Sequence, residues 1–109
     1  MREHPEKIEQ INLKIIQINE RLQNVRDQIG KQEALMTLEI VTAKDELGKP
    51  LYPNESLRNA ALLLSKDQSA ELQNLITEER ATEHHRAELF AQLERLRLEF
   101  RLFLLDKQE

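Results

Sequence analysis

The sequence predicts an all-α fold, a long antiparallel helical hairpin of the coiled-coil kind, and three observations carry that expectation. Ile8, Ile11, Ile15, Ile18, Leu22, Val25 and Ile29 recur at spacings that alternate between three and four residues. An average period of 3.5 residues keeps such a seam turned towards a partner helix. The composition agrees: 109 residues include two Gly, three Pro, three Phe, one Tyr and no Trp, with 33% of positions charged, which favours long helices over a compact globule. The third observation is a single strong turn, Gly48-Lys49-Pro50-Leu51-Tyr52-Pro53-Asn54, whose prolines disfavour helix in the residues before them.

The first helix is expected over about residues 5–47. Pro5 suits a first helical position because its missing donor costs nothing there, and Glu6 and Glu9 complement the positive end of the helix dipole. Gly48 and Pro50 supply the stop. Gly30 costs roughly 1 kcal/mol relative to Ala inside a helix and marks a place for a kink. The run Met36-Thr37-Leu38-Glu39-Ile40-Val41-Thr42 has strand-forming residues. Helix is nevertheless preferred, because Met36, Ile40, Ala43 and Leu47 continue a helical stripe after a four-residue stutter. With the turn at 48–54, a second helical region runs over about 55–106. Asn54 is its N-cap, and loosening is expected near 65–69, where short polar side chains compete for backbone bonds. The whole of 1–109 reads as one helical-hairpin domain.

Charges flanking the seam indicate which helix it holds. With Ile8 at heptad position a, the flanks of the first helix include Lys14, Arg21 and Arg26 and no acid, which disfavours a parallel copy of itself. The second helix places Leu72, Leu75, Leu89, Leu93, Leu96, Phe100 and Phe103 on its seam and Glu71, Glu78, Glu83 and Glu99 on its flanks. Antiparallel pairing within the chain therefore agrees in both charge and apolar pattern. The same register sets Glu79, Thr82 and Arg86 opposite Ile18, Leu22 and Val25. Burial of each aliphatic is worth about 1.5–3 kcal/mol, which a polar strip cannot return in full. Ile76, Phe90 and Leu104 add apolar groups beyond the seam. The expectation is a homo-oligomer, a dimer that completes a four-helix bundle. The competing reading is that the second helix rotates at Glu79, Thr82 and Arg86 and turns them to water.

Candidate chemistry is sparse. His84, His85 and Glu88 are the one cluster resembling a metal or acid-base site. Two ligands at helical spacing do not make a site, so exposed surface histidines are the preferred reading, with no metal and no cofactor. The chain has no Cys, no Gly-rich phosphate loop and no recognisable nucleophile-base pair, and no enzyme is expected. Arg80, Arg86, Arg95, Arg97 and Arg101 could follow phosphates. Glu78, Glu79, Glu83, Glu88, Glu94 and Glu99 are threaded among them, and the net charge is −4, so a solvated surface accounts for them better than nucleic acid does. Absent cysteines suit a reducing compartment, and no run approaches the ~18 apolar residues of a membrane span. The expectation is a soluble, cytoplasmic chain without a membrane partner. At the turn, Leu51 and Tyr52 either form an exposed tip or fold back over the helix ends.

The stretch from Thr42 to Glu55, with Arg58 and Ala60 after it, resembles the middle of small helical proteins of unassigned function in phage, prophage and other bacterial genomes. In these an Asp-Glu-x-Gly-Lys-Pro-x-Tyr-x-Asn-Glu turn joins two coiled-coil arms, the second ending in an apolar and basic stretch similar to Leu93 through Leu104. Pro53 departs from the small polar residue expected there. The resemblance implies the hairpin and a phage or mobile-element setting, sometimes beside recombination functions, and it supplies no catalytic or binding residue. Taken together, the sequence points to a structural or interaction protein, a scaffold or adaptor, working as a homo-oligomer or with an unidentified protein partner. The alternative is an accessory factor in DNA or RNA transactions that touches phosphate through the arginines of the second helix.

Overall fold

The computed structural model describes residues 3–108 and folds them into three helices, α1 (Glu3–Thr42), α2 (Glu55–Gln68) and α3 (Ala70–Gln108). No strand occurs among the described residues; Met1, Arg2 and Glu109 lie outside them. None of the helices is long and apolar enough to cross a membrane.

Helix α1 runs unbroken through both doubtful places. At Gly30 a Cβ would meet nothing within 4 Å, so the glycine brings neither a clash nor a needed close approach, only its backbone entropy. Gly30→Ala is therefore expected to raise stability by about 0.5–1 kcal/mol, read from urea denaturation. In the β-branched stretch, the Thr37 hydroxyl donates to the Glu33 carbonyl at 2.9 Å and the Thr42 hydroxyl to the Leu38 carbonyl at 2.7 Å. Both threonines thus satisfy their side chains within the helix, and Ile40 is buried.

The helix ends at Thr42, not near 47 as its apolar stripe predicts. Asp45 is the reason. Its Oδ1 accepts from the backbone amides of Leu47 and Lys49, each at 2.9 Å, capturing donors that a continuing helix would direct to its own carbonyls. Main-chain bonds then close a compact turn: Asp45 N–H donates to Lys49 O at 2.8 Å, Gly48 N–H to Asp45 O at 3.0 Å and Leu51 N–H to Ala43 O at 2.9 Å. Gly48 takes a positive φ of 78°, a backbone region glycine enters without steric cost. Leu47, expected to extend the stripe, is instead 82% exposed. Loss of both Asp45 bonds in Asp45→Ala is expected to cost about 1 kcal/mol in the same measurement.

Asn54 caps α2, its side-chain oxygen accepting from Leu57 N–H at 2.9 Å. Where the sequence implies loosening over 65–69, the structure has a discrete break at Ser69. Its N–H donates to Lys66 O at 3.4 Å and its Oγ accepts from Leu72 N–H at 3.1 Å. One residue therefore closes α2 and caps α3.

The chain divides into two compact units. One contains the chain up to Gln23 and from Arg80 onward. In it Ile11 and Ile15 of α1 form a core with Leu89 and Leu93 of α3, and Ile8, Ile18 and Leu96 pack against it. His4 lies 5.8 Å from the rings of both Phe100 and Phe103, while Asn19 accepts from Arg86 Nη1 at 3.3 Å. Advancing along α1 means retreating along α3, so the two segments are antiparallel. The other unit is Asn24–Glu79. Arg26 pairs with Glu79 at 3.2 Å and Glu33 with Lys66 at 2.7 Å, again antiparallel, and Val25, Ile40 and Leu72 are its buried apolar residues among those described.

Candidate functional site

Every seam residue inferred from periodicity lies on an inward face of its unit. Ile11, Ile15, Leu22, Val25, Leu89 and Leu93 are buried; Ile8, Ile18, Ile29, Leu96, Phe100 and Phe103 are half-buried. Of the further positions, Leu72 is buried and Leu75 half-buried. The core sits on the three-four repeat because only that face of each helix can remain against its neighbour over several turns.

The polar strip changes what the seam means. Thr82 is 5% exposed, while Leu22 and Val25 retain 1% and 4% of their surface. Glu79 and Arg86 are half-buried, and each has a polar partner on α1, Arg26 and Asn19 respectively. These residues have not rotated to water, and of the aliphatics expected to need a second subunit Leu22 and Val25 are buried within one chain while Ile18 is half-buried. The strip by itself therefore gives no ground for a second subunit. Long side chains such as Arg86 can lay their methylenes along apolar neighbours while the head group finds a polar atom, which a count of polar letters misses.

Remaining candidates resolve into ordinary surface. His84 Nε2 lies 2.8 Å from Glu88 Oε1 with side chains 77% and 55% exposed, an i,i+4 surface pair of small energetic weight. His85 is exposed. No group of three or more His, Asp or Glu side chains among the described residues is placed to hold a metal ion. Arg80, Arg95, Arg97 and Arg101 are exposed, Arg97 beside Glu94 at 3.3 Å. Tyr52 folds back half-buried against the start of α2, whereas Leu51 and Leu47 project from the turn.

Outward faces carry the feature that sequence reading passed over. Helix α2 buries no residue completely. Leu57 and Leu64 are 46% and 56% exposed and line an open groove with Tyr52, Ala60, Ala61 and Gln68. Comparison with protein-family models, curated proteins and solved structures finds no match to this chain. The groove residues share one face at spacings of three and four, a signal present in the sequence. The break at Ser69 lets this face of α2 differ from the seam of α3, which a single helix over 55–106 would not allow. On α3, Leu98, Leu102 and Leu105 are 53%, 61% and 53% exposed, a second stripe roughly opposite Leu89, Leu93 and Leu96 on the helix.

Proposed function

We propose that this protein works by pairing helices, as a small scaffold or adaptor that associates with copies of itself, two chains forming a four-helix bundle, without chemistry of its own. One observation carries the reading. Among the described residues, fifteen large hydrophobic side chains are exposed against eight apolar side chains buried. Single exposed leucines are common, but several on one helix face mark a surface meant for contact. Burying even part of this surface is worth about 25 cal/mol per Å², and a second helical hairpin offers matching length and polarity. The cysteine-free sequence suits the cytoplasm as its setting.

Light scattering on the purified full chain tests the proposal. Twice the chain mass is expected, and a monomer at every concentration would remove it. The rival reading rests on the exposed Arg95, Arg97 and Arg101, which share their helix with Glu94, Glu99 and Asp106. With fields of opposite sign interleaved, a low-salt gel-shift titration is expected to show no retained DNA or RNA. Retention that weakens steeply with salt would instead favour the accessory-factor reading.

A further inference from the structure

We infer that the groove between α1 and α3, in the unit that contains the chain up to Gln23 and from Arg80 onward, receives an acidic amphipathic helix of another protein. Its walls are basic and its floor is apolar. Lys7, Lys14 and Arg21 stand on the α1 side at intervals of seven residues, and Arg95 stands on the α3 side. Glu99 is the one acid in the lining, although the whole chain carries 20 Asp plus Glu against 16 Lys plus Arg. Glu88, nearby on α3 but outside the lining, pairs with His84. Of the acidic flanks that the sequence offers to this basic side, Glu71, Glu78, Glu83 and Glu99, only Glu99 lines the groove, and Gln92 and Arg95 share it with Lys14 instead. Lys14 and Arg95 form no ion pair with another described residue.

Spacing and chemistry together identify the occupant. Seven residues of helix advance ~10.5 Å, so the three basic residues of α1 mark out ~21 Å along the groove. A helix running alongside repeats its own side chains at the same interval, and acids at every seventh position would meet the basic wall in step. Between the walls Ile11, Ile18, Leu89 and Leu96 form the floor, and Ile18 and Leu96 remain half-buried. An apolar stripe on the incoming helix covers that remaining surface, as a third strand does in a coiled coil. Nucleic acid matches less of this lining, which contains no Phe or Tyr for bases to stack on and whose apolar floor offers nothing to phosphate. A second copy of the chain matches less as well. Acids at three successive seventh positions occur nowhere in this sequence, so the matching strand belongs to another protein. The inference thus goes beyond the self-association proposed above and concerns a different surface.

The probe is a labelled synthetic peptide of three heptads with Leu along one stripe and Glu on both flanks, titrated with the full chain by fluorescence anisotropy. Binding is expected at low salt and should weaken as salt rises. Lys14→Glu and Arg95→Glu, both at exposed positions, should each lose about tenfold or more in affinity with unchanged helical circular dichroism. Arg101→Glu, exposed and outside the groove, should bind as wild type. A peptide with Lys in place of Glu should bind the Lys14→Glu/Arg95→Glu double variant better than it binds wild type. Exchanging the peptide's Leu for Ala, which keeps it helical, should abolish binding. Failure of the acidic peptide to bind, an equal loss at Arg101→Glu, or undiminished binding of the Ala peptide overturns the inference. So does single-stranded DNA of equal charge that binds as tightly, since the groove would then follow phosphate. Light scattering tests the remaining occupant: a wild-type dimer made monomeric by Lys14→Glu would place a second copy in the groove and overturn the assignment to another protein. A wild type that is monomeric at every concentration yet binds the acidic peptide removes the proposed self-association and supports the groove.

Discussion

Leu22→Ala is expected to lower the free energy of unfolding by about 2–5 kcal/mol, the range for removing a buried leucine and leaving its cavity. Leu22 is 1% exposed within a single chain, so the loss should be the same in dilute and concentrated protein. An aliphatic covered by a second subunit would behave otherwise, its contribution fading as the assembly dissociates. Leu13→Ala, at a position 54% exposed on the same helix, is the control and should change stability by no more than about 0.5 kcal/mol. Urea denaturation at two protein concentrations decides the matter. Equal effects at Leu22 and Leu13, or a Leu22 effect that shrinks on dilution, would contradict the intrachain core described here.

Leu72→Ala is expected to produce a loss of similar size, about 2–5 kcal/mol, but with a different spatial signature. Its unit, Asn24–Glu79, has Val25, Ile40 and Leu72 as its buried apolar residues among those described, and Leu72 is 1% exposed. Leu72 also lies in the first turn of α3, its amide held by Ser69 Oγ, so truncation loosens packing beside the break between α2 and α3. Segments with few buried apolar contacts open before the rest of a structure. Amide hydrogen exchange should therefore accelerate over 31–42 and 55–75 more than over 8–22 and 86–103. Uniform acceleration along the chain would show that the two units open together.

Much of the architecture was legible in the sequence, and particular residues show why. The seam from Ile8 to Ile29 and its partner from Leu89 to Phe103 were readable because a three-four repeat is a direct imprint of helical geometry. Asn54 as a cap was readable because a short side chain at a helix start has a known local partner. The early end of α1 was not read, since Asp45 looks like any charged residue until its two amide partners at Leu47 and Lys49 are known. Nor was the break at Ser69 placed to the residue, because several polar neighbours, from Ser65 to Gln68, compete for the same role. The α2 face was present as spacing but was read as part of a longer helix.

The sequence by itself determined that this protein is helical, where its main turn lies and which stripe of each helix turns inward. Those properties depend on neighbours within a few residues, which the order of amino acids states directly. Only the tertiary structure decided whether Glu79, Thr82 and Arg86 interrupt the core or belong to it. Their cost depends on partners more than fifty residues away, Arg26 for Glu79 and Asn19 for Arg86. A polar group beside an aliphatic is a defect when it is unpaired and a tolerable layer when it is bonded. Hence most of the isoleucine seam is covered within one chain, where a count of polar letters implies a gap.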